Sequence, residues 1–122
     1  MNKATLETEE ELQLIKEYTL LPILLDVLER DVAVLEKARL KMSPVYVRKL
    51  KQAQDQISIH LAHIRKALRR RGIKVYELQR TRLGIEAHYL CKGYNHTFSM
   101  LWSLVKAELY KELSSLLERK QG

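Results

Sequence analysis

The stretch from Ser43 to Gly72 constrains the fold of this chain more than any other part of its sequence. Its apolar residues recur every three or four positions, which is the spacing of one face of an α-helix. Ser43 can cap the start of that helix, Pro44 fits its first turn, and Gly72 can end it in a left-handed conformation. We therefore predict one helix over residues 43–71, which at 1.5 Å per residue is roughly 40 Å long. The predicted apolar face consists of Tyr46, Leu50, Ala53, Ile57, Leu61, Ile64 and Leu68.

A first helix is predicted over residues 8–39. Thr8 and Glu11 have the spacing of a capping box, in which each side chain takes up a free backbone N–H of the other residue. Pro22 lacks a backbone donor and its ring crowds the preceding turn, so we expect the helix to kink there or to restart there. Because only a short link separates this helix from the one at 43–71, the two should pack antiparallel as a hairpin.

Residues 73–92 change to a pattern that indicates strands. The first part of this segment is rich in β-branched and aromatic side chains, and its second part alternates with a period of two after a glycine-containing turn. This pattern predicts a β-hairpin. A helix is the alternative, because Ile85, Tyr89 and Leu90 also fit one helical face. Two isolated strands are marginally stable in water, so we expect the hairpin to pack on the helices or to pair with another chain.

A last helix is predicted over residues 96–119, after a break at residues 93–95. Asn95 or Thr97 can cap its start. Its predicted apolar face consists of Phe98, Leu101, Trp102, Val105, Leu109, Leu113, Leu116 and Leu117.

These elements predict a mainly α, α+β fold in a single domain over residues 1–122. The architecture is an antiparallel helical hairpin, a small β-hairpin and a C-terminal helix. A chain of 122 residues has the usual length of one domain. Its composition, 46% hydrophobic and 30% charged, excludes the class of disordered chains.

The net charge of +7 is distributed unevenly along the chain. Residues 1–36 hold three Lys or Arg against nine Asp or Glu, whereas residues 37–82 hold fourteen against two. Two interpretations fit this asymmetry. The basic middle faces an external polyanion, or the acidic first segment lies beside it in the fold and neutralises much of its charge.

The basic residues that end the central helix and continue into the hairpin are a candidate nucleic-acid surface. Cations at these positions could follow phosphates while the β-ribbon enters a groove. No helix-turn-helix, zinc-finger or RNA-recognition signature accompanies them, and Tyr76 and Tyr89 suit a core better than a base-stacking platform. The alternative is a solvated face that the acidic first helix balances. The candidate residues are Arg65, Lys66, Arg69, Arg70, Arg71, Lys74, Arg80 and Arg82.

Four histidines and one cysteine are weak candidates for a metal site, because zinc binds such side chains when three or four of them converge. They come from three separate predicted elements, and no C-x-x-C, H-E-x-x-H or E-x-x-H motif occurs. We therefore expect no metal and no other cofactor. The candidates are His60, His63, His88, Cys91 and His96.

No residue pattern indicates an enzyme. Cys91 shares a strand face with Ala87 and Tyr89, so we expect a packed thiol rather than a nucleophile. The carboxylates lie mostly on helical faces beside solvent, and nothing separates a catalytic pair from the others. There is also no Walker loop and no G-x-G-x-x-G segment to cradle a phosphate.

The apolar faces of the first and last helices have two interpretations. Both helices have broad leucine faces, and Tyr18, Trp102 and Tyr110 add large amphipathic rings of the kind that is enriched at interfaces. One interpretation is a homodimer, or a complex with another protein, formed through helices or hairpin edges. The other is that these residues fill the core of a monomer.

The sequence favours a cytoplasmic location without membrane attachment. The start of the chain is acidic, unlike a signal peptide, and the longest apolar run, residues 20–25, is too short to span a bilayer. The single cysteine excludes an internal disulfide and suits a reducing compartment.

Three short segments resemble small uncharacterised proteins of spore-forming Gram-positive bacteria. They are Gly72-Ile73-Lys74-Val75, Tyr89-Leu90-Cys91-Lys92-Gly93-Tyr94 and Lys106-Ala107-Glu108-Leu109, mainly in the C-terminal half. The resemblance implies the hairpin and a bacterial cytoplasm, and it adds no catalytic residue.

The function that the sequence predicts is that of a non-enzymatic interaction or structural protein acting through helical surfaces. The alternative is a nucleic-acid-binding protein that uses the basic end of the central helix and the hairpin.

Overall fold

The computed structural model of the protein describes residues 8–118. Three helices and a three-stranded antiparallel sheet make up this part of the chain, which confirms the α+β class and the C-terminal helix. In chain order the elements are α1 (Glu9–Ala38), α2 (Ser43–Arg70), β1 (Ile73–Arg80), β2 (Gly84–Cys91), β3 (Tyr94–Leu101) and α3 (Trp102–Glu118).

The capping box predicted for α1 is present. The Glu11 backbone N–H donates to Thr8 Oγ1 at 3.1 Å, and the Thr8 backbone N–H donates to Glu11 Oε1 at 3.0 Å. Two donors that a helix start leaves free are thereby satisfied. The helix is continuous through Pro22, which excludes the restart given as one alternative, whereas the kink at that residue stays a prediction. It ends at Arg39, which has left-handed backbone angles.

Helix α2 packs antiparallel to α1, as predicted. Its start differs in one respect, because Met42 is the N-cap and Ser43 is already the first helical residue. The Ser43 hydroxyl instead donates to the Leu35 carbonyl at 2.9 Å, where it satisfies an acceptor near the end of α1. Gly72 follows the helix with φ +70°, as expected for a glycine that ends a helix.

The apolar face of α2 is buried over most of its length. The five residues from Ala53 to Leu68 that recur with helical spacing are no more than 4% exposed. They pack on α1 and on the sheet, and they form the main core of the domain. The prediction for Tyr46 was wrong, since its side chain is 47% exposed and Val47 is buried beside it. Tyr46 lies in the first turn of α2, at the end of the helix away from β1, which follows the last turn.

The predicted hairpin is present as β1 and β2, with Ile73 paired to Cys91 and Arg80 paired to Ile85. Strand β2 is the centre of the sheet and alternates buried with half-buried residues. Its side chains at 85, 87, 89 and 91 face the helices. This confirms that Cys91 is packed, on the face that also carries Ala87 and Tyr89.

A third strand replaces the predicted break at residues 93–95 and the predicted start of the last helix. Lys92 and Gly93 have φ angles of +55° and +83°, as a two-residue primed turn requires. This turn folds β3 back on β2, so that Cys91 pairs with Tyr94 and Ala87 pairs with Phe98. Asn95 and Thr97 therefore lie in a strand, and neither caps a helix. The apolar residues of this segment fit both the period of a helix and the period of two of a strand. Pairing along the second edge of β2 favours the strand.

Helix α3 begins at Trp102, directly after β3, rather than near residue 96. The Trp102 backbone N–H donates to the Leu83 carbonyl at 3.1 Å, and its indole N–H donates to the Thr81 carbonyl at 2.8 Å. These bonds tie the helix start to the turn between β1 and β2. A second, smaller core forms where α3 crosses α1 and β2, with Val105 at its centre. The helix is described as far as Glu118, and residue 119 of the predicted span lies outside the described residues.

None of the helices within residues 8–118 combines the length and the apolar character that a membrane crossing requires.

Candidate functional site

The acidic first helix neutralises two of the predicted nucleic-acid-binding arginines. Arg71 Nη2 lies 2.6 Å from Glu10 Oε2, and Arg71 Nη1 lies 3.8 Å from Glu11 Oε2. Arg80 Nη2 lies 2.7 Å from Asp26 Oδ2. Because hydrogen-bonded cations are less available to a phosphate, these two arginines fit the interpretation that the acidic segment lies beside the basic one.

The other six predicted basic residues are exposed and form no ion pair within residues 8–118. Three of them, Arg65, Arg69 and Lys74, line one pocket of about 510 Å³ where α2 ends and β1 begins. We call it the basic pocket. No carboxylate lines it, and its floor is apolar. The remaining lining residues are Tyr18, Leu68, Gly72, Ile73 and Val75. Lys66, Arg70 and Arg82 lie outside it.

The outward face of the sheet is not a basic ribbon. Glu77 and Glu86 lie on it in register with His88 and Gln79, and only Lys74 adds a cation from the predicted set. Tyr76 is 52% exposed on this face and donates its hydroxyl to Asn95 Oδ1 at 3.1 Å, so the expectation of a core position was wrong. A bulge between Val75 and Glu77 turns Tyr76 outward. Tyr89, by contrast, is 1% exposed, as expected.

The metal candidates lie on different surfaces. His60 Nε2 lies 3.3 Å from Glu17 Oε1 between the helices. His88 Nε2 lies 3.2 Å from Glu86 Oε1 on the outward face of the sheet. His96 stacks on Tyr89 on the inner face, with ring centroids 5.5 Å apart. His63 is exposed on α2, and Cys91 is buried. Within residues 8–118 no three His, Cys, Asp or Glu side chains are arranged to hold a metal ion.

One carboxylate has a clearly perturbed titration. The backbone hydrogen bond from Thr8 lowers the pKa of Glu11, burial opposes this, and Lys92 and Arg71 lower it further. The Glu11 side chain is 5% exposed, and Lys92 Nζ lies 3.8 Å from it. Since these partners join the start of α1, the end of α2 and the β2–β3 turn, Glu11 has a structural role.

An apolar groove lies between α1 and α3 and has a volume of about 430 Å³. We call it the α1/α3 groove. It forms because α3 buries only Val105 and Leu116 and leaves large side chains in solvent. Tyr110 is 65% exposed and Val27 is 42% exposed. The lining residues are Ile23, Leu24, Val27, Asp31, Trp102, Val105, Lys106, Leu109, Tyr110 and Leu113.

Two charged side chains line the α1/α3 groove, one with a carboxylate and one with an ammonium group. Asp31 lies on the α1 wall and Lys106 on the α3 wall, where its Nζ is 5.6 Å from the centre of the Tyr110 ring. The sequence indicates Trp102 and Tyr110 as surplus aromatics, but it does not single out Val27, Asp31 or Lys106. Val27 could have been identified from the sequence, because it extends the apolar run of α1, and its side chain lines the groove opposite residues of α3.

Comparison with protein families gives one match. The model of the family described as YhjD protein matches residues 6–121, so the chain belongs to that family. No curated protein and no solved structure matches the chain. The family match is consistent with the resemblance to small uncharacterised proteins and carries no information about spore-forming bacteria.

Proposed function

We propose that this member of the YhjD protein family is a non-enzymatic interaction protein that self-associates through the α1/α3 groove. The observation that carries the proposal is the apolar groove of about 430 Å³, flanked by the exposed side chains of Val27 and Tyr110. Contiguous exposed apolar surface of this kind is typical of protein interfaces, and aromatic residues are enriched there.

A second copy of the chain is the occupant that the charges favour. In a two-fold symmetric dimer both copies contribute the same surface patch. If one residue of the first copy contacts a different residue of the second copy, the reverse contact is also present across the axis. Asp31 and Lys106 lie on opposite walls of the groove. A two-fold axis between them brings each Asp31 to the Lys106 of the other copy, so the rim is complementary to itself. Tyr110 then packs against the α1 wall of the partner.

Sedimentation equilibrium over the micromolar range tests this proposal. The wild-type chain should show a reversible monomer–dimer equilibrium. Tyr110→Glu should shift it to monomer, because a carboxylate in the apolar contact is left without a partner. Ile59→Glu is the matched control, since Ile59 is 60% exposed on α2 and lines none of the described pockets. A wild-type chain that stays monomeric at every concentration refutes the proposal.

Nucleic-acid binding is a second candidate function, and the basic pocket favours it. Arg65, Arg69 and Lys74 surround an apolar floor that includes the Tyr18 ring, and no carboxylate lies among them. Such an arrangement suits a phosphate with a base beside it. The test is fluorescence anisotropy with mixed duplex DNA and with single-stranded RNA at several salt concentrations. Binding by this site weakens steeply with salt, and equal signals at low and high salt remove this candidate.

We also propose that the protein resides in the bacterial cytoplasm. The support is its single cysteine, Cys91, which is buried between the sheet and the helices and has no second cysteine with which to form an internal disulfide, and this suits a reducing compartment. Fractionation of cells carrying the tagged full-length chain tests this, and recovery in the membrane fraction contradicts it.

A further inference from the structure

The outer edge of strand β1 is open where it borders the basic pocket. The sheet has the order β1-β2-β3, so β1 has a neighbour on one side only, and no other strand within residues 8–118 pairs with it. The first residues of β1 line the basic pocket together with the last turns of α2. An unpaired strand edge presents backbone N–H and C=O groups on which a strand of another chain can form.

The register of the sheet shows which residues of β1 direct their backbone groups to this edge. The two-residue turn after β2 closes on a hydrogen-bonded pair that includes Cys91. Successive residues of a central strand bond to opposite neighbours, so the preceding residue, Leu90, bonds to its β1 partner, Lys74. Ile73 and Val75 therefore direct their N–H and C=O groups away from β2, toward the open edge.

The far end of the β1–β2 hairpin has the same phase. The Thr81 N–H donates to the Gly84 carbonyl at 2.7 Å, so the even-numbered residues of β2 are those that bond toward β1. No backbone hydrogen bond joins Ile73 or Val75 to a described residue outside the sheet. The bulge between Val75 and Glu77 interrupts the edge, which limits any added strand to the start of β1.

The side chains beside this part of the edge favour an acidic partner. Arg65 and Arg69 of α2 and Lys74 of β1 are exposed, and no carboxylate lies among the residues that line the pocket. A guanidinium group binds a carboxylate through two parallel hydrogen bonds. The apolar floor between these cations, which includes the ring of Tyr18, can also take an apolar side chain.

From this arrangement we propose that β1 and the basic pocket bind an acidic, extended segment of another protein by strand addition. The added strand bonds to the backbone of Ile73 and Val75 and brings its carboxylates to Arg65 and Arg69. Its apolar side chains lie on the pocket floor. This site shares no lining residue with the α1/α3 groove, so it is a second contact surface beside that of the proposed self-association.

Two other occupants of the open edge fit less well. A second copy of β1 would bring the cations of both chains together, and like charges across paired strands are destabilising. A nucleic acid would contact Arg65, Arg69 and Lys74, but its sugar–phosphate backbone lacks the repeated N–H and C=O groups that pair with a strand edge. The backbone of Val75 therefore distinguishes a protein ligand from a nucleic acid.

Fluorescence anisotropy with a labelled peptide of alternating glutamate and valine tests the charges. The full chain should bind this peptide along a saturable curve. Arg65→Gln combined with Arg69→Gln should weaken binding by roughly tenfold, because two exposed charge pairs are lost. Lys66→Gln combined with Arg70→Gln is the matched control, since both cations are exposed on α2 outside the basic pocket. It should bind the peptide nearly as the wild type does.

Amide hydrogen exchange followed by NMR tests the strand addition. In the free chain the Lys74 N–H is bonded to β2 and should exchange slowly, whereas the Val75 N–H faces the open edge and should exchange fast. The peptide should slow the exchange of Val75 and leave that of Lys74 unchanged. A copy of the peptide with N-methylated amides keeps its side chains and charge but has no backbone donors, so it should bind roughly tenfold more weakly or worse.

The proposal is overturned if the peptide does not bind saturably, if the exchange of Val75 is unchanged in the complex, or if the N-methylated copy binds as tightly as the parent. Equal losses in the two double variants would also overturn it. Duplex DNA that displaces the N-methylated copy and the parent peptide alike would assign the basic pocket to a nucleic acid instead. Tyr110→Glu should bind the peptide as the wild type does, so a failure of self-association leaves this site unaffected.

Discussion

Arg71, which follows the last turn of α2, donates a hydrogen bond of 2.6 Å to Glu10 in the first turn of α1, 61 positions away in the sequence. A second bond, from Arg80 of β1 to Asp26 in the middle of α1, repeats this relationship at 2.7 Å. The acidic and basic segments of the sequence thus contact each other within the fold. The eight basic residues predicted to bind nucleic acid therefore fall into two groups, the two that α1 pairs and the six that form no ion pair with a described residue.

The first prediction separates these two groups. Arg65→Gln combined with Arg69→Gln should reduce any binding to duplex DNA and reduce its salt dependence, because two unpaired cations are lost. Arg71→Gln should leave DNA binding nearly unchanged and lower the free energy of unfolding slightly, by about 0–1 kcal/mol for an exposed ion pair. Anisotropy titrations and urea denaturation of the same preparations measure both effects. A larger loss of DNA binding in Arg71→Gln than in the double variant would reverse the assignment.

The second prediction concerns Glu11 and pH. Its partners lower its pKa in the folded chain below the ordinary value of 4.5, so its contribution to stability is present above that value and is lost as pH falls through the lowered pKa. Glu11→Gln keeps the capping geometry but loses the charge. We expect it to reduce the free energy of unfolding by about 1 kcal/mol at pH 7, and we expect the difference from wild type to shrink in acid.

Urea denaturation between pH 3 and pH 7 measures this difference, with Glu9→Gln as the control. Glu9 is an exposed carboxylate in the same turn and lacks the contacts of Glu11 to Thr8, Arg71 and Lys92. A gap between wild type and Glu11→Gln that stays constant with pH would contradict the assigned role.

The third prediction concerns Gly84, where β2 begins beside the end of β3. A Cβ at this position would lie 2.0 Å from the Met100 carbonyl oxygen, which belongs to paired backbone. Gly84→Ala therefore forces the two strands apart. Overpacking typically lowers the free energy of unfolding by about 1–3 kcal/mol, and we expect Gly84→Ala to lower it by an amount near or above the upper end of that range. Gly93→Asn is the control, since nothing lies within 4 Å of the added atom and asparagine tolerates its φ of +83°. Equal stability of the two variants would contradict this account of Gly84.

The sequence predicted those parts of the fold that depend on local interactions. The capping box at Thr8 and Glu11, the helical face from Ala53 to Leu68 and the glycine that ends α2 are all local features, and all are present. The β1–β2 hairpin was also predictable, because its alternation extends over the whole of β2.

Strand β3 was missed because its residues fit two periods at once. Phe98, Leu101, Trp102 and Val105 are spaced as a helical face, whereas Phe98 and Met100 also alternate toward the core. Pairing with β2 decides between them, and that is a tertiary effect. The position of Tyr76 was missed for a similar reason, since a single bulge places it in solvent, whereas Tyr89 lies in the core as predicted.

The candidate sites were less predictable than the fold. The basic pocket uses three of the eight residues that the sequence proposed. Ion pairs with α1 withdraw two others, and the remaining three lie outside the pocket. The α1/α3 groove depends on how α3 crosses α1, which is set by the attachment of Trp102 to the turn at Thr81. No periodicity in the sequence encodes that crossing.

The most direct test of self-association exchanges the two rim charges between chains. Asp31→Lys alone and Lys106→Asp alone should each be monomeric, since either variant places like charges across the proposed two-fold axis. An equimolar mixture of the two variants should form a heterodimer, because each contact then joins an ammonium to a carboxylate. Sedimentation velocity of the separate and mixed samples measures this. Dimers in the mixture and monomers in the separate samples are the predicted result, and a mixture that stays monomeric where the wild-type chain dimerises would contradict the account.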